Sequence, residues 1–216
     1  MDSGPRPPQQ ARSLRTMERL LAATIAVIEA KGLAGVTVPE IAAAAGVATG
    51  SVYRRFTDKD ALIRAAFLQL LVQSQAANQR GLAAELFAGQ SLEQTLHHLA
   101  RALVRQYRSH PRLLKALDQF VEAQTHQAFK DRVGDLIAAN AARLVAVLHP
   151  YRDRIAAEDP ERAMAFALLS ATTVIEIQVL HESMLWTRML PLDDEALANE
   201  AARAMIGYLT LPASPT

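Results

Sequence analysis

Residues Thr37 to Phe56 read TVPEIAAAAGVATGSVYRRF, and three of them restrict how the stretch can fold. Ala42, Gly46 and Val52 stand at the spacing A-x3-G-x5-V. The pattern predicts two short helices joined by a tight turn. Ala42 is small where the helices cross, Gly46 can take the positive φ that ends the first helix, and Val52 fills the angle from the second. Such a unit exposes the start of its second helix, which can then lie in the major groove of DNA.

The flanking residues agree. Thr37 and Glu40 form a T-x-x-E capping box, and Pro39 falls in the first turn, where a missing N–H costs little. Thr49 or Ser51 is expected to cap the second helix. Ala48, Thr49, Gly50 and Ser51 open that helix, where base edges would be met, and Gly50 lets backbone approach closely. Tyr53, Arg54 and Arg55 follow, with Lys59 just beyond; hydroxyls and cations of this kind suit phosphate. Arg54 is expected to reach a base or a phosphate, whereas Arg55 points to solvent or to Asp58. Lys59 starts a helix against the dipole, for which a nearby phosphate is a sensible reason. Thr37 caps its helix, binds phosphate, or does both. Any one of these side chains alone would ordinarily be a solvated surface group; the set on one edge favours DNA.

The run GLAGVTVPEIAAAAGVATGSVYRRFTDKDALI resembles the DNA-binding head of the TetR family of bacterial transcriptional regulators. The likeness extends from near Ser13 to about Leu70 and rests on Lys31-Gly32, Thr37, Ile41-Ala42, Gly46-Val47, Val52-Tyr53, Phe56 and Lys59. Farther on, only length and helical layout match. The resemblance implies an all-helical homodimer that binds operator DNA and, usually, a small effector, with Tyr53 touching phosphate. Pro39 departs from the pattern: many relatives carry a basic residue there, so a possible contact from the first helix of the motif is missing.

Composition bounds the remainder. Half the residues are hydrophobic and only 5% aromatic, which makes helix the default. The formal net charge is +1, with eight Lys and Arg against six Asp and Glu in residues 1–60, so any attraction to a polyanion is local. The chain has no cysteine, which excludes disulfides and thiol sensing. No cofactor or metal is expected; His97 and His98 are adjacent and point different ways on a helix. G-x-S-x-G, H-E-x-x-H and a glycine-rich phosphate loop are all missing, so an enzyme is not expected. The N-terminus lacks the apolar stretch of a secretory signal, and no apolar run is judged to reach the roughly 18 residues of a membrane helix. A cytoplasmic location is the expectation.

Punctuation by Pro, Gly and capping residues predicts an all-α chain: a three-helix head with the helix-turn-helix, then a helical body. Residues 1–12 read as a disordered arm, 13–58 as the head and 59–216 as the body. Arg6 reads as part of a functionless tail, while Arg12 and Arg15 are balanced between tail and DNA arm. The first helix is expected from Ser13 to Lys31, with Leu14, Met17, Leu21, Ile25 and Ile28 as its apolar stripe. The fourth is expected from Thr57 or Asp58, as a T-x-x-D box, to Arg80. Body helices follow at 91–109, 111–118, 120–149 with a break near Thr125, 160–186 and 193–209. The helix from Pro160 is apolar nearly all round and needs more than one partner. It and the last helix, about 160–187 and 193–209, are expected to pair with their symmetry mates in a homodimer. Polar groups among apolar ones nominate Tyr107, Phe120, Gln124, Thr172, Thr173 and Glu176 as an effector pocket, with Met164, Met184, Trp186 and Met189 as adaptable lining. For any one of these, a core or seam position is the commoner role. The resulting expectation is a DNA-binding repressor released by a small molecule. The rival is a helical dimeric interaction protein without DNA binding.

Overall fold

The computed structural model describes residues 9–181 and 185–211. Arg6, Met184 and the side chain of Trp186 lie outside what it describes. Among the described residues there are ten α-helices and no strand. In chain order they are α1 (Gln9–Lys31), α2 (Val38–Ala45), α3 (Thr49–Tyr53), α4 (Lys59–Gly81), α5 (Leu92–Ser109), α6 (Pro111–Ala123), α7 (Gln127–Leu148), α8 (Pro160–Leu180), α9 (Leu185–Met189) and α10 (Asp194–Thr210). Two helix starts follow their sequence signals closely. Asp193 accepts from the Ala196 N–H at 2.8 Å to cap α10. Asp159 caps α8 ahead of Pro160.

The chain gathers into two compact units. One takes in the described residues up to Gln73 with Lys115–Val133, and the other Ser74–Leu114 with Gly134 onward. In the first, α1 packs on α2 and α2 on α3. Its core is Leu20, Ile28, Ile41, Leu62 and Phe67, each 0% exposed. The ring of Phe67 on α4 meets Phe120 at 5.6 Å, and Phe120 meets Phe129 at 5.8 Å, edge-on. Arg64 adds a polar tie, donating to Oε1 of Gln124 at 2.9 Å.

In the second unit α5, α8 and α10 pack on one another. Leu92, Leu96, Leu99 and Leu103 of α5 are buried against Met164, Leu168 and Ile175 of α8 and Leu197, Met205 and Leu209 of α10. Ser91 and Gln94 form the reciprocal capping box at the start of α5.

Several expectations need correction. The apolar stripe of α1 holds at Leu21 and Ile28, which are buried, and at the half-buried Met17 and Ile25, but Leu14 is 60% exposed, and Leu20 and the buried Thr24 also face inward. Thr24 is satisfied there by donating to the Leu20 carbonyl at 2.8 Å. The box at Thr57 does not form; Asp58 is the cap, accepting from the Ala61 N–H at 2.6 Å. α6 runs to Ala123 rather than 118, and α8 stops at Leu180, with the C-cap at His181 rather than near Trp186. By length and composition alone α8 is also apolar enough to cross a membrane, with half of its most apolar window buried in the structure. The reason is that α5 and α10 cover one of its faces, while Phe166, Leu169 and Val174 stay about half exposed or more at 52%, 62% and 49%.

The packing predicts that Leu99→Ala will destabilise the chain by about 2–5 kcal/mol. Asp193→Ala, which removes only a cap, should cost about 1 kcal/mol. Urea denaturation of the two variants beside the native chain checks both the size and the order.

Candidate nucleic-acid interface

The helix-turn-helix is built from its backbone outward. Gly46 closes α2 at φ 63°, ψ 41°, in the left-handed region, with its N–H returned to the carbonyls of Ala42 and Ala43. The Val47 N–H reaches the Ala42 carbonyl at 2.9 Å, completing a Schellman closure. Ala42 and Val52 are each 1% exposed, as their positions between the helices require. A residue not anticipated from sequence completes the turn. Arg19 of α1 donates to the carbonyls of Ala45 and Gly46. An arginine directly before the first buried residue of α1 is no recognisable signal in a single sequence.

α3 is a single short helix, Thr49–Tyr53, and neither Thr49 nor Ser51 caps it. Ala48 holds the N-cap position with no side-chain hydrogen bond, and its carbonyl accepts from the Ser51 N–H at 2.8 Å. Gly50 is exposed, and a Cβ added there would meet nothing within 4 Å. Tyr53 is 57% exposed and Arg54 is exposed too. The Arg54 guanidinium donates to Oγ of Ser51 at 2.7 Å, so both side chains share one edge. Arg55 turns back to the Ser51 carbonyl at 3.1 Å rather than toward solvent or Asp58. Lys59 is exposed, with Nζ 3.4 Å from the Val36 carbonyl.

Thr37 caps α2 through the Glu40 N–H at 3.4 Å and donates its hydroxyl to Oε2 of Glu40 at 2.9 Å. Lys31 Nζ lies 2.5 Å from the other carboxylate oxygen of Glu40. The Lys31 hydrogen bond, then that of Thr37, holds the Glu40 carboxyl below its ordinary value. Asp58 is lowered as well, first by the Ala61 N–H and then by the Thr57 hydroxyl. Both acids are therefore ionised and already engaged beside an edge that presents Thr37, Tyr53, Arg54 and Lys59.

A family profile described as bacterial regulatory proteins, tetR family, matches residues 20–66. A second, tetracyclin repressor-like, C-terminal domain, matches residues 91–209. The chain belongs to the TetR family. No curated protein sequence matches it significantly. Solved structures similar in fold include a Mesorhizobium loti protein assigned to the TetR family, at 21% identity and TM-score 0.69, covering 91% of this chain and 96% of that one. The Bacillus subtilis regulator FadR in complex with stearoyl-CoA is 15% identical at TM-score 0.64, with 89% and 98% covered. The Thermus thermophilus repressor FadR with lauroyl-CoA is 18% identical at TM-score 0.62, with 93% and 98% covered.

The six candidate effector residues of this TetR-family chain fall into separate groups. Phe120 and Gln124 belong to the unit that carries the helix-turn-helix, buried between Phe67 and Phe129 and bonded to Arg64 respectively. Tyr107, Thr172, Thr173 and Glu176 belong to the other unit. Burial, then the charge and hydrogen bond of Glu176, push the Tyr107 hydroxyl up to about 12. Thr172 is half-buried and Thr173 exposed. Of the adaptable lining, Met164 is fully buried core and Met189 is 63% exposed.

Three outcomes are expected. Gly46→Ala places a side chain at positive φ and should cost about 1–2 kcal/mol in denaturant unfolding. Glu40 should titrate below an ordinary glutamate by NMR and move back up in Lys31→Met. Because its folded value is depressed, its contribution to stability is present at neutral pH and is lost as pH falls through that value. Tyr107 has the opposite sign: its folded value is raised, so stability should decline as pH rises from about 10 toward about 12, followed by ultraviolet titration of the phenol.

Proposed function

We propose that the chain is a homodimeric, cytoplasmic transcriptional repressor that reads a palindromic operator and is released from it by a small-molecule effector. Residues 13–58 act as the reading head and 59–216 as the effector and dimerisation body. The observation that carries the proposal is the open start of α3. Gly50 has free space above it, Tyr53 and Arg54 are exposed at the same edge, and no side chain caps the helix. Ala48, Thr49, Gly50 and Ser51 meet base edges. Thr37, Tyr53, Arg54 and Lys59 meet phosphate or base, at the cost of the weak Lys59 and Ser51 contacts seen within the chain.

An apolar face supports dimerisation. Phe166 and Leu169 of α8 are exposed, and Phe166 meets the half-exposed Tyr208 of α10 at 5.2 Å between ring centroids. The pair joins two helices in one exposed surface, which a second copy would cover. Two linked heads would place their recognition helices about 34 Å apart, or a multiple of it, to match successive grooves.

Support for release lies at the start of α4. Asp58 caps that helix directly after the helix-turn-helix, and Arg64 lies 3.9 Å from Asp58 and 2.9 Å from Gln124. A ligand that shifts the α6–α7 corner would thus pull on α4, the helix that follows α3 in the chain. Linkage requires DNA to weaken effector binding by the same factor that effector weakens DNA binding. Two FadR proteins of similar fold are described in complex with stearoyl-CoA and lauroyl-CoA, which supports a ligand for this chain as well.

Selection from a randomised duplex pool is expected to return inverted repeats with a fixed half-site spacing; recovery of no motif favours the interaction-protein reading. Gly50→Ala should leave folding unchanged or improve it by about 0.5–1 kcal/mol, since Ala suits a helix better. The same variant should weaken the selected operator roughly tenfold or more, the equivalent of about 1.4 kcal/mol. Leu169→Glu should give monomers in sedimentation velocity at concentrations where the native chain is dimeric, and lose operator affinity with them.

A further inference from the structure

One side of α5 serves neither the head nor the apolar face of α8. Gln94, His97, His98, Arg101 and Arg105 follow that side at helical spacing and floor an open groove of about 550 Å3, so His97 and His98, expected to point different ways, line one space. The one acid in the groove is Glu93, already engaged by the Ser91 hydroxyl at 2.6 Å. Among the described residues, Arg101 and Arg105 have neither a side-chain hydrogen bond nor an ion pair. Nδ1 of His97 is buried with no hydrogen-bond partner, which is uncommon for a polar atom.

Beside the groove lies an apolar cavity of about 380 Å3, formed chiefly by Leu82, Phe87, Val147, Pro150 and Tyr151. That volume falls in the range of small-molecule sites, roughly 300–1,000 Å3. The two spaces are neighbours. Gln90 lines both, and the Phe87 ring packs on His98 at 5.1 Å. The cavity wall is preformed, because the Tyr151 hydroxyl is held by Thr95 at 2.7 Å and the Gln90 carbonyl at 3.1 Å.

We infer that groove and cavity form one binding site for an anionic amphiphile, with its acyl chain in the cavity and its phosphate or carboxylate head along Arg101 and Arg105. A purely polar anion would leave the cavity empty, and a neutral hydrocarbon would make no use of the two exposed guanidinium groups beside it. A nucleic acid offers the anion without the chain. Guanidinium groups suit phosphate and carboxylate because they offer paired donors. The site refines the proposed effector response and rests on the reading that the body takes a ligand.

The test uses the full-length protein with three probes: lauroyl-CoA, laurate and CoA alone. Equilibrium dialysis is expected to give saturable, one-to-one binding of lauroyl-CoA. CoA should bind at least tenfold more weakly, since it lacks the chain. If laurate matches lauroyl-CoA, the head is a carboxylate; if it is far weaker, the head is a phosphate. The exposed double variant R101E/R105E should lose at least tenfold in affinity for the preferred probe with its thermal unfolding unchanged. A second variant, Ala146→Trp, blocks the cavity from its rim and should lose affinity as well. Saturable binding that ignores both variants, or no saturable binding of lauroyl-CoA or laurate, overturns the site. Operator affinity is read in parallel: a probe that binds at this site and leaves operator affinity unchanged keeps the site and removes the effector reading.

Discussion

The positive φ at Gly46 is the constraint on which the head depends. It turns the chain through the corner between α2 and α3, and that corner aims the α3 residues proposed to touch DNA. Backbone amides of Gly46 and Val47 satisfy the last carbonyls of α2, and Arg19 takes the carbonyls of Ala45 and Gly46 that remain. Ala42 and Val52 then fix the crossing of the two helices by size alone. With the corner set, Gly50 and Tyr53 have to face outward, because α3 is a single turn and a half with Val52 as its inward anchor.

The electrostatics of the head follow the same economy. The acids near the reading edge are spoken for: Glu40 by Lys31 and Thr37, Asp58 by the Ala61 N–H and Thr57. Anions held in local hydrogen bonds repel an approaching phosphate less than free ones, since part of their charge is compensated at short range. The overall charge of the chain is close to neutral, so attraction to a polyanion has to come from this placement rather than from bulk charge.

Much of the architecture is legible in the sequence because it is written in punctuation. Asp159-Pro160, Ser91 with Gln94, and Asp193 each start a helix where they stand, and the leucines of α5 are buried in the order their spacing implies. What escapes is set by long-range packing. The exposure of Leu14 and the burial of Thr24 on α1 depend on which neighbour covers each turn of the helix, and a buried threonine satisfied within its own helix carries no sequence mark. Arg19 is invisible for the same reason: its partners are main-chain carbonyls 26 and 27 residues away. Polar groups, with Phe120, in apolar helices nominate the candidate effector residues, and that signal does not separate a pocket from a seam. Phe120 and Gln124 accordingly turn out beside α4, and the two cavities described are lined by other residues.

The central claim is that the edge formed by α3 and its flanks reads duplex DNA through phosphate as well as base contacts. Its most direct test is the affinity of the native protein for its operator duplex across a range of salt concentrations. With Arg54 and Lys59 of two heads each neutralising a phosphate, log affinity should fall with log salt at a slope of about −3 to −4. An affinity indifferent to salt, or no duplex binding at low ionic strength, would contradict the account.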